Sequence, residues 1–238
     1  MYPVACCCEV WLLVLEYLDR ADLTRVALTS KRYNWLATRV LYRHVSIVGP
    51  IPSCSLLHNL IGVLSKRGES NDCPGPATYV HTLHLDMQSA NGTVLQHSAN
   101  AAARYAAVFA ALTNLHTLAL GEAFNAFLSI AVANVHLPNL RRLALHCAVG
   151  MEPFVARHSM QLTHLRIPYL DPRRLLSHGK LCPNLQHLEA ASLQTVSWAT
   201  ATSSPLTTVS TSACKMRPGG GFDLDTSHCK TAFQLVAR

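Results

Sequence analysis

A six-residue pattern, Leu-x-x-Leu-x-Leu, returns down this chain at a nearly constant interval, and no other feature limits the fold as tightly. Four copies are clear: Val80-His-Thr-Leu83-His-Leu85, Leu115-His-Thr-Leu118-Ala-Leu120, Leu140-Arg-Arg-Leu143-Ala-Leu145 and Leu162-Thr-His-Leu165-Arg-Ile167. A weaker fifth, Leu185-Gln-His-Leu188-Glu-Ala190, and a decayed sixth, Leu206-Thr-Thr-Val209-Ser-Thr211, follow. The fourth residues of successive copies lie 35, 25, 22, 23 and 21 positions apart. All but the first interval fall in the window of about 20–29 residues in which one strand and one return segment complete a turn of a stack. The wide first interval leaves room for an alanine-rich helix over 93–112. Shorter helices fit 122–135, 152–159 and 172–178. Asn114, Asn139 and Asn184 each precede a first leucine, and Pro138 and Pro183 precede two of them, stopping one helix and starting the next strand.

Strand side chains alternate, so the two later leucines of each copy point inward and the residues between them point out. The outward row reads Thr82, His84, Asp86; Thr117, Ala119; Arg142, Ala144, His146; His164, Arg166; His187, Glu189. It is basic and histidine-rich in its middle and later copies. An acidic or phosphorylated segment of another protein would suit Arg142, His146, His164, Arg166 and His187. Imidazoles titrate near neutrality, so such binding would weaken as pH rises.

Ahead of the copies, Glu9 to Leu36 is too apolar for a free surface and too short for a core of its own. Three helices are expected: Cys8 to Leu18, a second capped by Asp22 with Leu23, Val26 and Ala27 on one side, and Lys31 to Leu41 capped by Ser30. A strand follows at 44–48, closed by Gly49-Pro50-Ile51-Pro52, then a helix over 55–66 and a loop over 71–76. The division is 1–48 for the helical box, 49–79 for a linker helix and loop, 80–210 for the copies and 211–238 for an irregular tail. Arg217 to Gly221 reads as a flexible break. No polar closing unit follows Ser210, so the chain reads as a shortened form of a longer repeat protein.

Glu9 to Leu36 resembles the F-box of fungal F-box/leucine-rich-repeat proteins. Glu9, Val10, Val14, Leu15, Tyr17, Leu18, Asp19, Asp22 and Leu23 match its first half; Ser30, Lys31 and Leu36 match its second, and Leu41 to Val45 resembles the segment that follows. Two positions depart: Cys6-Cys7 stands where the family has Leu-Pro, and Tyr33 where it has Trp, with Trp35 two places on. The resemblance implies an α/β fold, a three-helix F-box followed by a short, irregular leucine-rich-repeat solenoid with a parallel sheet. It also implies a substrate-recognition adaptor of an SCF-type (Skp–cullin–F-box) ubiquitin ligase. By match, the contacts to a Skp-family adaptor, and through it to a cullin, would be Val10, Val14, Leu15, Leu18, Leu23, Val26, Tyr33 and Leu36. The alternative is a leucine-rich-repeat scaffold with a degenerate, non-binding box.

Composition agrees with a chain that works by contact. Half the residues are hydrophobic and 14% charged, which excludes disorder and favours a buried core. The net charge of +7 is scattered in pairs such as Lys31-Arg32, Arg141-Arg142 and Arg173-Arg174, so no nucleic-acid face is expected. Nine cysteines without a secretory leader point to reduced thiols in the cytoplasm or nucleus. Glu16 and Asp19 interrupt the first apolar run, so no membrane span is expected. Cys6-Cys7-Cys8 lacks the spacing of a zinc site, and single histidines on successive strands do not converge tetrahedrally, so no metal and no cofactor is expected. No phosphate loop, His-Glu-x-x-His or Gly-x-Ser-x-Gly occurs, and no catalytic residue is proposed. Ser212-Ala-Cys-Lys215 with Lys230-Thr231-Ala232 echoes penicillin-recognising enzymes only by chance.

Overall fold

The computed structural model describes residues 4–50, 54–65, 75–88, 99–121, 132, 134–146, 150–167, 182–190, 206–211, 214–216, 222–224 and 231–234. The expected helix over 172–178, nearly all of that over 122–135, the start of that over 93–112, and the whole of the break at 217–221 lie outside them.

Three helices open the chain: α1 (Val4–Leu15), α2 (Arg20–Ala27) and α3 (Lys31–Leu41). The first begins and ends earlier than the expected 8–18, so Leu18 falls in the turn that follows. Asp19, not Asp22, caps α2: its backbone is extended and its carboxylate accepts the Asp22 N–H at 2.8 Å. Asp22 sits inside the first turn instead, paired with Arg25 at 3.0 Å. Ser30 caps α3 as expected, its hydroxyl accepting from Tyr33 N–H at 3.2 Å. Leu15, Leu23, Leu36 and Ala37 form the small core between the helices.

Strand β1 (His44–Pro50) follows, then α4 (Cys54–Leu64), a 3₁₀ turn at Pro76–Tyr79, β2 (Thr82–Gln88), α5 (Ala99–Ala111), β3 (Thr117–Leu120), β4 (Arg142–Leu145), α6 (Glu152–His158), β5 (His164–Ile167), β6 (His187–Ala190) and β7 (Thr208–Thr211). Strands β8 (Cys214–Met216), β9 (Phe222–Leu224) and β10 (Thr231–Gln234) come last. Among the described residues, β1 to β7 lie side by side in chain order, all parallel, and β10 closes the far edge antiparallel to β7. The expected irregular tail thus contains a strand that joins the sheet and a β8–β9 hairpin.

The inward leucines line up across the sheet. Val45, Leu83, Leu118, Leu143, Leu165, Leu188 and Val209 are partners in successive registers. From Leu83 onward each is nearly inaccessible, and with the first leucines they make one continuous core. Each copy alone would leave that face wet; stacking covers it, at roughly 1.5–3 kcal/mol per enclosed aliphatic chain.

Side chains at the strand starts tie each copy to the one before. Asn114 donates to Thr78 O at 2.7 Å, Asn139 to Thr113 O at 2.9 Å and Asn184 to Met160 O at 2.6 Å. The longer Gln161, in the same place, reaches one residue further back, to Leu137 O at 2.6 Å. Pro138 and Pro183 do not begin strands. They occupy the second position of tight turns closed by Leu140 N–H to Leu137 O and Leu185 N–H to Cys182 O, where a fixed φ is suited.

The same backbone rule reaches into the box. His116 and Thr117 both donate to His81 O, Arg141 and Arg142 to His116 O, and His81 and Thr82 to Arg43 O. Tyr42-Arg-His-Val45-Ser-Ile47 is therefore a further copy of the pattern, built from an aromatic and β-branched residues. No helix among the described residues is long and apolar enough to cross a membrane.

Candidate functional site

Helix α1 is apolar nearly all round, the signature of a helix covered on both sides. From Cys8 onward only one side is covered here. Leu12 and Leu15 turn into the box, with Cys8 packed beside them. Val10, Leu13 and Val14 face outward at 56%, 61% and 46% exposure, and Tyr17 and Leu28 are more open still. Trp11 lies at the margin of this face, 5.1 Å from Tyr33 with the rings edge to face.

This geometry divides the expected adaptor contacts. Val10 and Val14 are on the open face. Leu18, Val26 and Tyr33 are half-buried against the box core. Leu15, Leu23 and Leu36 are corrected: at 0%, 4% and 0% exposure they hold the three helices together and cannot touch a second chain. Periodicity could not separate the two groups, because apolar residues fall on both sides of α1. Leu13 and Tyr17 belong to the open face, with Trp11 at its margin, and are missing from the expected set; Leu28 is exposed at the end of α2.

The second surface is the outward row of the sheet. Arg142, His164, Arg166 and His187 surround one hollow of about 270 Å³. His146 stands apart from them, just past the end of β4, in a neighbouring hollow of about 240 Å³ with His84 and Asp86; Arg166 borders both. Arg166 places its Nε 3.3 Å from Glu189 Oε1 across the β5–β6 pair, so its charge is already answered. Arg142 is exposed. His164 and His187 stack at 4.2 Å between centroids. Burial, then the neighbouring His187 and Arg142, hold the His164 imidazole below its ordinary range, which favours its neutral form at pH 7. As an anion site the row is thus centred on Arg142, not spread over both arginines. Among the described residues, no group of three or more His, Cys, Asp or Glu is placed to hold a metal ion.

Residues 8–48 match the F-box-like family. The match covers α1 from Cys8 onward, all of α2 and α3, and runs into β1. A search of curated proteins finds nothing that matches the chain.

Proposed function

We propose that this chain is a substrate-recognition adaptor of an SCF-type ubiquitin ligase, docking a Skp-family adaptor through its box and, through that adaptor, a cullin. The observation that carries the reading is the uncovered aliphatic ridge Val10, Leu13 and Val14, inside the segment that matches the F-box-like family. Aliphatic side chains held in water on a short helix favour a partner that removes them from it. The ordered parallel strands and their leucine register support reading 80–210 as a leucine-rich-repeat arc of the fungal F-box type. Its outward face would receive a client, with an acidic or phosphorylated side chain against Arg142. In this reading the chain itself catalyses nothing, and it works in the cytoplasm or nucleus.

Capture by a purified Skp-family adaptor tests the reading. Leu13→Asp with Val14→Asp should abolish capture while the melting temperature holds, since both residues are on the open face. Leu15→Ala should lower the melting temperature instead, by the mechanism of an emptied core. Undiminished capture by the double variant would refute the reading. The second reading, a scaffold whose box binds nothing, is favoured by one observation. Helix α1 runs unbroken through Cys6 and Cys7, where the family has Leu-Pro. In that case the wild-type chain itself captures no adaptor.

A further inference from the structure

Between the box and the first strands lies a cleft of about 560 Å³, within the size range of small-molecule sites. Glu16, Trp35 and Arg39 line it from the box; Arg43, His81 and Asn114 line it from the sheet side. The seam is held firmly: Trp35 Nε1–H donates to the Tyr79 hydroxyl at 2.9 Å, and Arg20 donates to His44 O at 2.8 Å. Glu16 is the one acid among the lining residues named, and it is ion-paired with Arg43. Arg39 is exposed on α3. The His81 imidazole stacks on His116, 5.2 Å away. His81 is held below its ordinary value by burial, and then by Arg43, His116, His44 and Arg39. Every charged neighbour in that set is cationic or becomes so on protonation. Beyond the Arg43–Glu16 pair, the cleft therefore carries the positive charge of Arg39, which no second acid among its lining residues offsets.

We propose that this cleft binds a phosphate monoester group, seated between Arg39 and His81 where the box meets the sheet. Arg43 is already neutralised by Glu16. What remains to be matched is the Arg39 guanidinium and the proton His81 would take up beside an anion. A phosphate dianion answers both charges, whereas a single carboxylate answers one. The forked guanidinium also holds two phosphate oxygens at once. Because its two principal contacts come from the box and from the start of β2, the bound group would brace one against the other.

The His81 ring is followed by NMR across a pH titration of the full chain, with millimolar inorganic phosphate or with chloride at equal ionic strength. Phosphate is expected to raise the His81 midpoint, against the lowering that burial and its cationic neighbours impose, and to raise the melting temperature, since a ligand of the folded state stabilises it. Arg39→Gln and His81→Gln should each remove the thermal effect. Arg104→Gln, on the exposed side of α5, should keep it. A midpoint that phosphate does not move, or a thermal effect that survives Arg39→Gln, overturns the proposal. Phosphoserine and a nucleoside monophosphate, run as competitors, tell the two sources of the group apart. The tighter competitor identifies the kind of ester taken, and competition by neither overturns the proposal.

Discussion

Acid should loosen this protein through one side chain, His158 at the end of α6. Its ring is fully enclosed. Nδ1 lies 2.8 Å from Phe154 O, and Nε2 accepts the Leu137 N–H at 2.9 Å. That arrangement needs a neutral ring protonated on Nδ1, because an imidazolium has no lone pair for Leu137. Burial dominates the shift and, with His136 and Arg157 nearby, takes the pKa from 6.5 to about 4, against the opposing bond to Phe154. The unfolded chain therefore binds the proton more readily than the folded one between those two values. Stability from this residue is complete above pH 6.5 and drains as pH falls toward 4. With about 1.4 kcal/mol per pKa unit, the loss reaches ~3 kcal/mol at pH 4, a large fraction of the ~5–15 kcal/mol that domains possess. Urea unfolding from pH 7 to pH 4 measures it against His158→Gln, which can keep both hydrogen bonds but does not titrate in this range. The wild type should lose ~3 kcal/mol more than the variant over that span. Parallel curves for the two proteins would refute the reasoning, since the chain's other histidines are common to both.

Gly121→Ala should destabilise by about 1–3 kcal/mol, read as a lower melting temperature, because the added Cβ would stand 2.8 Å from the Asp86 Cα, backbone that cannot swing aside; an unchanged melt would show that β2 and β3 are not packed this closely. Burial pushes the Cys182 thiol up to about 12, so iodoacetamide at pH 8 should leave it unmodified in the native protein and alkylate it once urea unfolds the chain. Mass spectrometry finding native Cys182 alkylated would contradict its enclosure.

The sheet was legible because its signal is a period. Leucines three and two apart, recurring every two dozen residues, admit few structures other than stacked parallel strands, and the asparagines before them have a physical role in tying copy to copy. The copy at Tyr42, Val45 and Ile47 is not legible as a leucine pattern, because the backbone requires only that a side chain be apolar and turned inward. The Arg166–Glu189 pair was implicit in the register: both residues occupy the same place in adjacent copies, so parallel pairing makes them neighbours. Choosing between Asp19 and Asp22 as the cap of α2 depends on where the preceding turn ends, a shift of three residues that composition does not resolve. The faces of α1 were illegible for another reason. A helix apolar on nearly every side carries little amphipathic direction, and only the placement of α2 and α3 decides which leucines are spent internally.

Strand β1 has a further consequence. The family match ends at residue 48, yet β1 continues to Pro50 and pairs with β2 along its whole length. A fragment severed at that point would strand most of β1 on one piece and bare the β2 edge on the other, inviting each to seek foreign strands. Box and sheet therefore share one continuous joint, and neither could be moved into another protein without rebuilding it.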